Sequence, residues 1–454
     1  MTNRLGAYAI VIGGSLAGLM SARVLSDHFD QVTVFERDAL PDGIVLHKSV
    51  PQGNHLHALL QGGQQVLAAL YPGFTDELCE LGAVRWRPGM DLAFYSPGGK
   101  SFNLTGSVRE GRDLGLEAHS QSRALLESLV RRRTVAIPNV KLESGVAVQA
   151  LPYADRRVRG VSYERAGAAH SLDADLVVDA GGRGSHAPRW LAAMGFPAPQ
   201  ETTIGVDFAY TSTKFRKPAA YAEEPMILIG GRPPQQPAGG GIFQIENDVW
   251  HVSLAGRFGD YPPIDEAGFF AFAKALPSPR LYELIKDAER LDDITHHRFP
   301  TSIQRHYERM PSFPEGFVII GDAICSFNPV YGQGMTSAAL QVRAFQELLS
   351  ERVTQNQGIE GLAGAFFPKA AEVISTPWTL AANFDFAYPQ TRGERPPMVA
   401  EGARYFAALD LLQAEDVTVQ RAVLEVFQLM QPLSALWDEP LRNRVFAKLQ
   451  TMGD

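Results

Sequence analysis

The run Ala7-Tyr8-Ala9-Ile10-Val11-Ile12 passes without a break into Gly13-Gly14-Ser15-Leu16-Ala17-Gly18. An apolar stretch of strand length thus ends in a turn that only small residues allow. Leu16, Leu19, Met20 and Ala22 then recur at helical spacing as far as Leu25, which predicts a helix opening at the turn. Val32-Thr33-Val34-Phe35 reads as a second strand, and Glu36 closes it. Strand, glycine turn, helix, strand and acid, in that order, open a dinucleotide-binding fold. The amides and dipole of the helix start face a pyrophosphate, and Glu36 stands at the distance where a ribose hydroxyl is held. A bare glycine turn in some other α/β unit would not need the acid. Ser15 occupies the usual place of the middle glycine and is small enough for close backbone approach.

Composition sets the outer limits. A chain of 454 residues exceeds one simple core, so two or three domains are expected. Hydrophobic residues make up 45% and charged residues 20%, as in an ordinary globular protein. A net charge of −8 argues against nucleic acid as a partner. Cys79 and Cys325 are in no metal-ligand spacing and read as free thiols of a reducing cytoplasm. No apolar run is long enough to span a membrane, and no cleaved signal peptide is expected before the first strand. His55 and His57 have no acid or cysteine at ligand spacing, so no metal is expected there.

Further along, His47 to Gln61 is a polar, Pro- and Gly-containing stretch that reads as a functional loop. Gln121 to Arg133 predicts a helix with Leu125, Leu126, Leu129 and Val130 on its apolar side. Short strands are expected at Val146–Val148 and Val158–Tyr163. Leu176-Val177-Val178-Asp179 reads as a buried strand that enters a second small-residue turn, Ala180 to Ser185. Ile204–Arg216, Pro225–Ile229 and the alternating Gly241–Ala255 predict antiparallel sheet, followed by helices over Asp265–Ala275 and Pro279–Leu291. A third signal follows: a strand from Gly316 into Gly321-Asp322, then the loop Phe327-Asn328-Pro329-Val330-Tyr331-Gly332-Gln333-Gly334 and a helix over Met335–Leu349. An acid after a glycine at a strand end suits sugar-alcohol hydroxyls. The last hundred residues are helical in pattern, with breaks expected at Pro377, Pro389 and Pro396-Pro397, and read as a cap over a substrate pocket.

The expected architecture is α/β: a Rossmann-like domain with an inserted antiparallel-sheet substrate domain and a helical C-terminal region. The boundaries fall at 1–195 and 311–352 for the Rossmann-like domain, 196–310 for the insertion and 353–454 for the helices.

Taken together, Gly13–Gly18 with Glu36, Asp179–Ser185 and Gly321-Asp322 resemble the three motifs of FAD-dependent monooxygenases of the aromatic-hydroxylase fold. The stretch Gly321 to Met335, and Val50-Pro51-Gln52 with His55 and His57, look most like the squalene-epoxidase-like branch, which includes bacterial polyene epoxidases of polyether biosynthesis. The resemblance implies FAD bound by Gly13, Gly14, Ser15, Ala17, Gly18, Glu36, Arg37, Arg123, Val148, Gly321, Asp322, Pro329, Gly332, Gln333, Gly334 and Met335. Arg123 matches the arginine that opens a helix and reaches the cofactor. Gln52, His55, Phe327, Pro329 and Gln333 are the candidates for the reacting end. The implied activity is transfer of one oxygen from a flavin C4a-hydroperoxide to an alkene or an electron-rich ring of a hydrophobic secondary metabolite, with molecular oxygen as co-substrate. Epoxidation needs no general base, and no Ser-His-Asp constellation is expected. The tryptophan signatures of flavin halogenases, and the lysine that accompanies them, are absent.

One departure matters. Gly181-Gly182 stands where the family has Asp-Gly, a motif associated with the nicotinamide donor. NADPH or NADH is the expected electron source, either directly or through a separate flavin reductase. The alternatives are a flavin-dependent reductase of prenyl chains, which shares the fold, and a non-catalytic prenyl-binding relative.

Overall fold

Three glycine turns far apart in sequence meet because their strands are neighbours. A five-stranded parallel sheet runs in the order Phe317–Ile319, Leu176–Asp179, Gly6–Ile12, Phe29–Glu36, Val140–Ser144. Ile12 pairs with Asp179, and Asp179 with Ile319, so these three neighbouring strands end level. Ligands of open α/β sheets bind beyond the carboxyl ends of the strands, and all three turns lie there. Buried on both faces, the three strands that carry the turns are apolar at their centres: Ile10, Val11, Val177, Val178, Val318 and Ile319 are fully shielded. The helices Leu16–Ser26 and Gly334–Thr354 pack on one another beside the sheet. This computed structural model describes residues 4–40, 43–45, 51–96, 99–100, 113–224, 226–231, 233–396 and 399–452.

The second layer is an eight-stranded sheet in the order Cys325–Ser326, Thr295–His306, Gln200–Arg216, Val249–Arg257, Gly239–Ile245, Met226–Ile229, Leu92–Ser96, Gly99–Lys100. It is antiparallel except where Met226–Ile229 runs parallel to Leu92–Ser96. The sheet therefore draws strands from both sides of the 196–310 segment. The alternating run Gly241–Ala255 is a hairpin whose turn puts Asn247 and Asp248 at positive φ.

Strand alternation gives this sheet two distinct faces. Phe215, Ile242, Trp250, Val252 and Leu254 point to one side, where they form a core with Phe269, Leu281 and Ile285 of the helices Glu266–Lys274 and Arg280–Ile285. The second of these helices is shorter than the expected Pro279–Leu291. The Leu291 amide donates to the Lys214 carbonyl at 2.8 Å, so the chain has already returned to the sheet.

The opposite face is covered in part by the helix Leu362–Asp385, through Trp378, Ala382 and the following Phe386. Pro377, expected to break the chain here, lies inside this helix together with Pro368. A proline inside a helix costs on the order of 3 kcal/mol. Burial of Phe366, Phe367, Ile374 and Leu380 on the same helix outweighs it at roughly 1.5–3 kcal/mol per side chain.

Candidate active site

A cavity of about 510 Å³ lies between the carboxyl ends of the parallel sheet and the second face of the antiparallel sheet. The first turn forms its floor on the sheet side. Gly13 sits at φ +107, and a Cβ there would come within 2.5 Å of the Ala180 carbonyl. A Cβ on Gly18 would meet the Gly13 carbonyl at 1.8 Å, so helix and strand close up only around glycine. A Cβ on Gly14 would press on the Glu36 side chain at 2.9 Å, so a larger residue there acts first through the acid.

Glu36 is buried. Its carboxylate accepts from the Gly14 amide at 2.7 Å and from the Asp38 amide at 2.9 Å, and it lines the cavity beside Arg37. Ser15 has a job no glycine could do. Its hydroxyl donates to Glu127 at 2.9 Å and accepts from Arg123 Nη2 at 3.0 Å, and Arg123 also donates to Glu127. The turn, Arg123 and the helix Arg123–Val135 are thereby locked together at the cavity edge, with Ser122 capping that helix through the Leu125 amide.

The middle turn is organised by Asp179, which is fully buried. It accepts from the Gly181 amide at 2.8 Å and from the Ser185 hydroxyl. A Cβ at 181 would approach its carboxylate at 2.8 Å, so a side chain there would have to displace Asp179. Arg183 projects from the same turn, donates to Ser326 at 2.9 Å and lies 4.7 Å over the Phe299 ring.

Asp322, from the third turn, lines the same cavity, and no hydrogen bond reaches its carboxylate from the described residues. Burial lifts it to about 6, against the pull of Arg123 and Arg183. Asp322 is half-buried, and Gln333 Oε1 and His57 Nε2 are buried without a hydrogen-bond partner among the described residues. Three acceptors lacking donors surround one space. A ligand rich in hydroxyl and N–H groups satisfies them, and amides at a helix start suit its phosphates. The residues thus fit a dinucleotide that carries a polyol chain, as FAD does.

The far wall is the second face of the antiparallel sheet. Tyr210 pairs with His297 across two strands, and Phe208 with Phe299 one step along. Ser212, Tyr210 and Phe208 lie level with Ser253, Ala255 and Arg257 on the next strand. Tyr210, His297 and Phe299 line the cavity. His55 packs on this face, 4.3 Å edge-on from Tyr210, with Nδ1 2.8 Å from the Ser212 hydroxyl, which in turn is 2.5 Å from that of Ser253. Burial, reinforced by His297, His296 and His57, holds His55 down to about 3. Its imidazole is therefore neutral.

Of the residues expected at the cofactor, Gly13, Ser15, Ala17, Glu36, Arg37, Arg123, Val148, Asp322, Pro329, Gly332, Gln333, Gly334 and Met335 line the cavity. Gly14, Gly18 and Gly321 shape the backbone behind it. At the reacting end, Phe327, Pro329 and Gln333 line it, and His55 backs Tyr210. Gln52 falls in the short turn Pro51–Asn54, and its side chain lies outside the described residues. Sequence reasoning missed Tyr210, His297, Phe299 and the anchoring role of Glu127. Among the described residues no group of three or more His, Cys, Asp or Glu is placed to hold a metal, and no helix is long and apolar enough to cross a membrane.

No family model matches the chain. It is 32% identical over 461 residues to protein Rv3254 of Mycobacterium tuberculosis, covering 98% of this chain and 95% of that one. The chain belongs to the family of that protein.

Among solved structures, a flavoprotein/dehydrogenase from Cytophaga hutchinsonii is similar with a TM-score of 0.69 at 15% identity, covering 99% of this chain and all of that one. The flavin-dependent brominase Bmp2 gives 0.68 at 15% identity over 98% of this chain and 100% of its own. The p-nitrophenol 4-monooxygenase PnpA of Pseudomonas putida gives 0.65 at 18% identity, covering 94% of this chain and 99% of PnpA. At such identities the likeness establishes the fold: the α/β fold of flavin-dependent monooxygenases and halogenases, with its parallel sheet, mixed second sheet and helical C-terminus.

Proposed function

We propose that this protein is an FAD-dependent monooxygenase that inserts one atom of molecular oxygen into a hydrophobic small molecule, at an alkene or an electron-rich ring. The observation that carries the reading is a single cavity shared by two sets of residues. Gly13, Glu36 and Asp322 on one side suit the dinucleotide, and Tyr210, His297 and Phe299 on the other suit a flat apolar substrate. The overall fold shared with a p-nitrophenol monooxygenase supports it.

Glu36 takes the ribose, the helix start at Leu16 the pyrophosphate, and Asp322 the polyol hydroxyls. When bound, reduced flavin supplies oxygen activation. Tyr210 and Phe299 hold the substrate ring or chain against it, and Phe327, packed 6.3 Å from Trp378, keeps water from the reacting end. His55 is neutral and hydrogen-bonded to Ser212, with no acid in that chain of contacts among the described residues, so it positions Tyr210 rather than ionising the substrate. The alkene option, epoxidation, rests on the resemblance of Gly321–Met335 to the squalene-epoxidase-like branch. NADPH or NADH supplies the electrons, through a separate reductase.

The test is turnover of a panel of polyenes and electron-rich aromatics under ¹⁸O₂, with FAD and a flavin-reducing system. One labelled oxygen per product molecule supports the assignment. Product formed equally well without oxygen, with a double bond saturated, points to the prenyl-reductase alternative.

A further inference from the structure

His55 and His57 stand two residues apart and are held as opposite neutral tautomers. His57 Nδ1 lies 3.1 Å from the His55 carbonyl. A carbonyl oxygen only accepts, so Nδ1 carries the proton. In a neutral ring Nε2 is then a lone pair. Burial, with Arg123 next, pushes the His57 ring down to about 4, so it is neutral. His55 is fixed the other way. Ser253 Oγ accepts from the Leu56 amide at 2.9 Å, so its own hydrogen is free to go to Ser212, and that of Ser212 to His55 Nδ1. This is the arrangement in which every hydroxyl hydrogen of the chain has an acceptor. His55 therefore carries its proton on Nε2.

The His57 ring lines the cavity, and Nε2 is buried with no partner among the described residues. Its place along the cavity is set by its neighbours. Leu56 is tied to Ser253 of the antiparallel sheet, and Ala58 stands 3.7 Å from the position a Cβ on Gly332 would take. His57 thus stands where the late loop meets the antiparallel sheet, with the Arg123–Glu127 pair beside it. A buried acceptor left without a donor costs about 1–3 kcal/mol, and a ligand donor removes that cost.

We propose that His57 is a binding residue for the flavin half of the dinucleotide, accepting one hydrogen bond from an N–H or O–H of that half, and that the His55 carbonyl holds it in the accepting tautomer. The proposal rests on the FAD reading above. It gives the pair of opposite tautomers a division of labour: His57 offers an acceptor to the cofactor, while the proton of His55 stays on the side away from Ser212.

The experiment is fluorescence and calorimetric titration of flavin-free protein with FAD and, separately, with ADP, which carries the adenine half alone. Wild type, His57→Leu and His57→Gln are compared. The Leu variant is expected to bind FAD about three- to tenfold more weakly, the cost of one hydrogen bond, with ADP affinity unchanged. The Gln variant, whose amide oxygen still accepts, is expected to recover most of the loss. Unchanged FAD affinity in the Leu variant overturns the proposal, and so does an equal loss for FAD and ADP, which marks a structural residue. If wild type binds ADP but no FAD, the FAD reading itself fails and this inference falls with it.

Discussion

Arg257 Nη1 donates to the Asp385 carboxylate at 2.6 Å, and both side chains are almost wholly buried. The same carboxylate oxygen accepts from Tyr331 at 2.6 Å and from Asn328 at 2.9 Å. Arg257 belongs to the antiparallel sheet, Asn328 and Tyr331 to the loop that borders the cavity, and Asp385 to the end of the long C-terminal helix. One oxygen thus fastens the helical region to the loop that carries Pro329 and Gln333. The rings of Phe208 and Tyr388, 5.3 and 5.0 Å from the guanidinium, complete the enclosure.

Removing one partner of a buried pair leaves the other charge uncompensated. Arg257→Leu and Asp385→Leu are each expected to lower stability by about 3–5 kcal/mol. The double variant Arg257→Leu with Asp385→Leu should be distinctly more stable than the sum of the single changes implies. Urea unfolding of the four proteins measures this; strictly additive losses would mean that the pair is not coupled.

Asp322 gives a prediction with a sign. Burial raises its carboxyl to about 6 in the folded protein, whereas in the unfolded chain it releases its proton near the ordinary aspartate value of about 4. Between these values the folded state binds more protons, so stability present below pH ~4 is lost as pH rises through ~6. Asp322→Asn removes this dependence. The flavin-free variant should melt higher than wild type above pH ~6 yet bind FAD about ten- to a hundredfold more weakly, because a charged acceptor for the cofactor hydroxyls is gone. Melting curves across pH 4 to 8 and FAD titrations check both halves. A variant that melts no higher, or binds FAD equally well, counts against an unpartnered carboxylate waiting for a ligand.

The parallel sheet was legible because its signals are local. Gly6–Ile12, Leu176–Asp179 and Phe317–Ile319 are short apolar runs, each followed at once by its glycine turn, so Gly13–Gly18, Ala180–Ser185 and Gly321-Asp322 announce themselves; the edge strand Val140–Ser144, with Lys141 and Glu143, carries no such signal and went unread. What brings Tyr210 to His297 is pairing between strands far apart in sequence, and no local pattern marks two half-buried rings as opposite one another. Ser15 shows a milder version of the same limit. Its smallness was visible, but its bonds to Glu127 and Arg123 needed a helix from beyond residue 120. Pro377 misled because a break is a local expectation, while the burial that overrides it is tertiary. Asp385 lies in a stretch with no motif at all, and only its burial beside Arg257 reveals it.

A prediction about the electron source rests on the middle turn. A side chain at 181 would have to displace the Asp179 carboxylate from its bond to the Gly181 amide, and the chain carries glycine at that position. Flavin reduction by NADPH or NADH alone is expected to be slow, and turnover faster with a separate flavin reductase. Anaerobic stopped-flow, with and without substrate, reads this directly. Fast, saturable bleaching by the nicotinamide alone would rule out the need for a partner while leaving oxygen transfer intact.

Uptake of FAD by the cavity between the two sheets is the most direct measurement. Flavin-free protein titrated with FAD should quench the flavin fluorescence and saturate at one FAD per chain, with the cofactor released intact on denaturation. Protein that leaves the fluorescence of added FAD unchanged, at concentrations where flavoproteins of this fold are loaded, would contradict the account.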